Sequence, residues 1–161
     1  MLKNRLPLFE SIAAVLAVAI VAILTALPWS GGQETRDPRL MDRLSLLRTA
    51  VFRFSMEHSD YDGAILPGRD GESVVKQLTG LSRNDGSTFE PLSGREDRWN
   101  GPYLREIPVN PINGLNTIRV VHGTGLPELT GEAGWVYQPD TGKVLPDLPG
   151  RDPNGVPYAD Y

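Results

Sequence analysis

Hydrophobic positions fall into three regimes along the chain. From Ser11 to Leu27 the run SIAAVLAVAIVAILTAL carries no charge and no Gly. As a helix rising about 1.5 Å per residue it would reach about 25 Å, the short end of a bilayer span. Trp29 adds a side chain suited to the headgroup level. From about Asp37 to His58 the pattern changes. Leu40, Leu44, Leu47, Val51 and Phe54 step by four, three, four and three, which makes one stripe on a helix, with Arg43, Arg48, Arg53 and Glu57 away from it. Asp37 suits the cap and Pro38 the first turn. Beyond this the apolar runs shorten to strand size: Thr117–Val121, Gly134–Gln138 and Lys143–Leu145, the last two joined by the turn Pro139-Asp140-Thr141-Gly142.

The organisation expected is a cytoplasmic leader-like segment over 1–10, a transmembrane helix over 11–29 and a non-cytoplasmic domain over 30–161. Within that domain lie a helix over 37–58, antiparallel strands over 117–145 and a loop-rich tail over 146–161 without regular structure. Gly71–Gly80 holds a further short helix with Val74, Val75 and Leu78 inward, and Trp99 and Tyr103 anchor the loop between them by packing beneath it. The fold class is α+β: a long N-terminal transmembrane and stalk helix followed by a small domain with a three-stranded antiparallel sheet.

Lys3 and Arg5 precede the apolar run, so the positive-inside bias keeps the N-terminus cytoplasmic and sends the remainder across. A cleaved secretory signal is the alternative; its apolar region would be long, and the exit TALPWSGG offers no A-x-A site. Glu10 stands at the mouth of the run, where a carboxylate needs water, a proton or a cation. It lies either in the headgroup region beside Lys3 and Arg5 or against a cation on a neighbouring copy, where it would set the register of bundled helices.

The formal net charge is -4 and the pI about 5.2, which argues against nucleic acid as a partner. Cysteine is absent, so disulfides, thiolate metal sites and cysteine nucleophiles are ruled out. There is no H-E-x-x-H, no phosphate-binding Gly-rich loop and no G-x-S-x-G elbow, and His58 reads as a surface residue at a helix C-terminus. A catalytic role is therefore not expected. One weak site remains. Asp147, Asp152, Asn154 and Asp160 crowd hard-oxygen side chains into the tail, either as solvated acids or as calcium ligands.

The run Phe9-Glu10-Ser11-Ile12 through Ala26-Leu27-Pro28 resembles the N-terminal helix of type IV pilins and type II secretion pseudopilins. The helix ending LRTAVFRFSMEHSDY resembles that family's continuation of the stalk. RWNGPYLREIPVNPING and GWVYQPDTGKV resemble the helix-to-sheet loop and the hairpin of the major pseudopilins. The resemblance implies a pilin-like structural subunit of the bacterial inner membrane. Its domain would be periplasmic or extracellular, and it would assemble with the lipid bilayer, copies of itself and the secretion machinery as partners. It places on Glu10 the role of pairing with a neighbour's N-terminal amine, and it adds weight to calcium in the tail. The family leader ends in Gly, whereas Arg5 holds that place here and no Gly precedes the span. Either cleavage occurs at an atypical place, or the chain is a permanently anchored relative acting as a binding or adaptor module.

Overall fold

The apolar stripe of residues 40–54 is buried along one side of a single long helix, α1 (Pro38–Glu57). Asp37 caps it: its Oδ1 accepts from the amides of Arg39 at 2.9 Å and Leu40 at 3.1 Å, two donors that would otherwise lack partners. The computed structural model describes residues 36–69, 71, 73–88 and 99–161, all within one unit, Glu34–Tyr161.

After α1 a small hairpin, β1 (Ser59–Asp60) and β2 (Gly63–Ala64), turns the chain toward α2 (Val74–Thr79). Val74 and Leu78 of α2 are buried, but Val75 faces out and Gln77 faces in. The inward amide is fully used: Gln77 Oε1 accepts from the Gly68 amide at 2.6 Å and Nε2 donates to Gly86 O at 2.9 Å, so one polar side chain ties two loops to the helix. A valine there would leave both loop groups without a partner.

The sheet consists of β3 (Ile118–Val120), β4 (Trp135–Gln138) and β5 (Lys143–Pro146), in the order β3-β4-β5. The expected three-stranded antiparallel sheet is overturned. β4 and β5 form an antiparallel hairpin, but β3 runs parallel to β4, with Ile118 opposite Trp135. The reason is the connection over 121–134, which is long enough to carry the chain back to the end where β3 began; a tight turn would have forced the antiparallel arrangement.

All four residues of β4 are buried. Trp135 and Tyr137, with Val144 of β5, join the α1 stripe in the core. Val136 and Leu145 point to the opposite face. The 121–134 crossover covers that face: Gln138 Nε2 donates to Gly123 O at 3.0 Å and Gly125 O at 2.8 Å. The tail is not the loose segment expected. Leu148, Val156, Tyr158 and Tyr161 enter the core, and Tyr158–Asp160 forms a 3-10 helix.

The expectation of a long apolar helix is also corrected. Residues 11–29, and with them the transmembrane reading and Glu10, lie outside the described residues. Among the described residues α1 is the long helix. It carries Asp42, Arg43, Arg48, Arg53 and Glu57, and no helix there is long and apolar enough to cross a membrane. The described fold is an α+β domain in which one amphipathic helix packs on a small mixed sheet.

Candidate interaction surface

The core stripe of α1 fixes what its other side presents. Phe52 and Met56, one turn apart, are 63% and 70% exposed, and Leu46 at the edge of the stripe is 48% exposed. These three break the polar face that an ordinary surface helix keeps.

Beside Leu46 runs the loop 103–111, held rigidly. The amides of Tyr103 and Leu104 both donate to Leu78 O at 3.0 Å, and the Tyr103 hydroxyl donates to Glu57 Oε2 at 2.8 Å. Burial, then the Glu57 hydrogen bond and charge, push the Tyr103 phenol well above its usual range, with Arg53 over the ring opposing weakly. Further along, Trp135 Nε1 donates to Pro108 O at 2.8 Å, Asn110 Nδ2 to Gly134 O at 2.7 Å and Asn113 Nδ2 to Ala133 O at 2.8 Å. The two asparagines of the run NPING thus grip the start of β4. That grip needs Gly134, since a Cβ there would collide with Leu115 O.

Helix and loop enclose a groove of two adjoining hollows that share Leu46 and Leu104. The first, about 500 Å³, is floored by Ala50 and Tyr103 and edged by Asp42 and Arg53. The second, about 430 Å³, has Pro108, Val109 and Pro111 as walls and Arg43, Arg105 and Glu106 at its rim. The side chains of Asp42, Arg43, Arg105 and Glu106 make no ion pair among the described residues. The arrangement is an apolar trough with unpaired charges of both signs on its lips. The sequence reading passed over it, although Leu46, Phe52 and Met56 stand off the four-three stripe and are the signal that would have found it.

His58 is not the surface residue expected but is buried. Its ring stacks on Phe54 with centroids 3.7 Å apart. Nδ1 lies 2.7 Å from Phe54 O and Nε2 lies 2.8 Å from Ser82 Oγ. A carbonyl only accepts, so Nδ1 carries a proton, and in the neutral ring Nε2 accepts from the Ser82 hydroxyl. A serine donating to a histidine is the first half of a hydrolytic site. Here Ser82 is buried as well, its backbone is paired with Asn100 in both directions, and neither residue lines the groove. The pair fastens the 82–100 bridge to the end of α1.

The tail oxygens are not brought together. Asp147 is buried on the face of the sheet away from α1, where Arg119 Nε and Nη2 donate to its two oxygens at 3.1 and 2.9 Å. The Thr130 and Ala133 amides add bonds of 2.8 and 3.1 Å. Asp152 closes the turn 152–156 instead: its Oδ1 accepts from the amides of Asn154 and Val156 at 2.9 and 2.8 Å, and its Oδ2 accepts from the Tyr161 hydroxyl. Asn154 and Asp160 are exposed. No group of three or more His, Asp or Glu suited to a metal ion occurs among the described residues. Asp147 already has a cation beside it, namely Arg119.

Comparison with protein-family models, with curated proteins and with solved structures gives no match for this chain.

Proposed function

We propose that the chain is a membrane-anchored structural subunit of a type II secretion pseudopilus or similar pilus-like filament, held by residues 11–29 and joined to neighbouring copies in part through the α1 groove. The observation that carries this reading is the apolar trough between α1 and the loop 103–111, lined in both hollows by Leu46 and Leu104, with Phe52 and Met56 as further exposed apolar side chains elsewhere on the same helix. The mixed lips favour a second copy as the occupant. Asp42 and Arg43 on the helix and Arg105 and Glu106 on the loop allow each sign on one copy to meet its opposite on the next. The uncharged run 11–27 supports the reading from the sequence side, since copies confined to one bilayer meet at high effective concentration. Glu10 is assigned to pairing with a cation of a neighbour near the apolar run. No catalytic step is assigned to the domain.

The chain has no cysteine, so introduced cysteines report cleanly. Membranes holding a mixture of two full-length chains, one with Leu46→Cys and the other with Val109→Cys, should give copy-to-copy disulfides under mild oxidation. Adding Glu10→Leu should lower their yield while the chain stays in the membrane fraction. Absence of adducts in membranes, or recovery of the mature chain in the aqueous fraction, sinks the proposal. A second reading, a permanently anchored adaptor, is favoured by Arg5 standing where a leader Gly is expected. Intact mass separates the two: loss of the leader supports the filament subunit, and an uncut start supports the adaptor.

A further inference from the structure

Residues 150–161 bond largely to themselves. The Asp152 amide donates to Val156 O at 2.8 Å, Gly155 to Asp152 O at 2.9 Å and Tyr158 to Gly150 O at 3.2 Å. Arg151 Nη1 adds a bond to Gly155 O at 2.7 Å. The hydrogen bonds that reach α1 from this segment converge on its last residue. The Tyr161 hydroxyl accepts from the Asp37 amide at 2.8 Å while donating to Asp152, and the Tyr161 main-chain oxygen accepts from Arg48 Nη2 at 2.7 Å. Arg48 also reaches Val144 O on β5 at 2.9 Å, and the Arg36 guanidinium stands 5.8 Å from the Tyr161 ring centroid.

The position of this contact matters more than its strength. Asp37 is the residue that caps α1, and the chain from the apolar run enters the helix through it. We infer that residues 150–161 are a clasp, caught by Tyr161 on the cap of α1, which opens as a unit and frees the first turns of the helix while the sheet stays folded. Two features support it. The segment carries hydrogen bonds of its own, and opening it breaks the Tyr161 contacts and uncovers Val156, Tyr158 and Tyr161. A unit with few bonds to its surroundings opens below the global unfolding free energy. The β4–β5 hairpin, by contrast, is tied to α1 and to the loop 107–115 by contacts that do not involve the clasp.

The test is hydrogen exchange on the full-length chain. Tyr161→Phe keeps the ring and removes only the hydroxyl. The amides of residues 39–44 and 152–161 should exchange about tenfold faster or more, as expected for losing a bond that includes a charged partner, with β4 and β5 unchanged. Equal acceleration in β4 and β5, or no change in either segment, overturns the inference. Asp152→Asn removes the acceptor charge behind the same hydroxyl and should give the same localised pattern. It decides the matter if Tyr161→Phe fails to fold, and uniform or absent change there counts equally against the clasp.

Discussion

Arg119 on β3 and Asp147 just after β5 meet in a two-pronged contact, Nε to Oδ2 at 3.1 Å and Nη2 to Oδ1 at 2.9 Å, reaching across the central strand that separates them. The contact fixes the parallel edge strand to the far end of the hairpin, and Arg119 Nη2 also reaches Glu128 O at 2.6 Å, so the crossover loop is held by the same guanidinium. The Asp147 side chain is fully buried, which makes removal of one partner costly. Asp147→Ala should lower unfolding free energy by about 1–3 kcal/mol, read from urea melts, because the Thr130 and Ala133 amides lose their acceptor while Arg119, a quarter exposed, keeps the Glu128 carbonyl and water. A loss under about 1 kcal/mol would show that the pair is solvated like a surface bridge.

The same residue gives the domain an acid limb. Burial raises the Asp147 carboxyl, but the Arg119 hydrogen bond and the amides of Thr130, Ala133 and Gly131 outweigh it and leave it below its usual value. Asp152 is also lowered, first by the Tyr161 hydroxyl, against burial. A carboxylate lowered in the fold contributes stability that is complete above its unfolded pKa of about 3.9 and is lost as pH falls toward the folded value. The contribution of these two carboxylates should therefore be flat from neutral pH to about 5 and fall below about 4, with a shallower drop in Asp147→Asn. At the alkaline end the Tyr161 phenol is raised to about 12, by burial first and then by its bond to Asp152. Its contribution is complete below about 10, the usual tyrosine value, and fades as pH climbs through the folded one. Tyr161→Phe should flatten that limb in denaturant melts above pH 10.

Gly134 should tolerate no side chain. Its would-be Cβ meets a backbone oxygen, Leu115 O, which cannot swing away as a side chain would, and the loop it touches is held by Asn110 and Asn113. Gly134→Ala should cost about 1–3 kcal/mol or more and lower the melting temperature by several degrees. It should also loosen the 107–115 loop, visible as faster exchange there. An unchanged melting temperature would mean that loop and strand separate without loss.

How far these features could be read from the chain depends on whether their causes are local. The α1 stripe is local: Leu40, Leu44, Leu47, Val51 and Phe54 state it by spacing, and Asp37-Pro38 states its start. The hairpin is local too, with Gly142 at φ +71 where the turn needs it. Strand direction is not, because β3 and β4 pair through a long connection whose path no spacing records. Gln77 turned inward over Val75 for the sake of two distant loop groups, Gly68 N and Gly86 O. Asp147 looked like one of several tail acids, and only the fold could reveal that Arg119 stands against it. The groove lies between: Leu46, Phe52 and Met56 were visible as breaks in the polar face, but the opposing wall at Leu104 and Val109 was not.

His58 and Ser82 should behave as a structural couple. Ser82→Ala leaves a buried imidazole nitrogen without its donor and should cost about 1–3 kcal/mol. His58→Leu should cost a similar amount by losing the bond to Phe54 O and the stack on Phe54. Because each change removes the same Nε2 contact, the double variant should cost less than the sum, with a coupling of about 0.5–3 kcal/mol in a double-mutant cycle. Additivity within about 0.3 kcal/mol would show that the 2.8 Å contact contributes nothing to stability.

The exposed apolar residues of α1 allow stability and assembly to be separated. Phe52 and Met56 contribute nothing to the buried core, so Phe52→Asp and Met56→Asp should each shift unfolding free energy by no more than about 1.5 kcal/mol, the cost of helix propensity and of a carboxylate toward the helix C-terminus. If the surface meets a neighbouring copy, the same changes place a desolvated carboxylate in that contact. Copy-to-copy crosslinking in membranes should then fall at least about tenfold, the effect of about 1.4 kcal/mol lost from association. Leu46→Asp should act more strongly, since Leu46 lines both hollows of the groove. Substitutions at Lys143 or Glu132, which are exposed and line neither hollow, should leave crosslinking unchanged. A set of charge variants on α1 that alters neither melting nor crosslinking would remove the helix face from the interface. A set that lowers both would mean that Phe52 and Met56 serve the fold of the single domain, and the exposure of their side chains would then need another explanation.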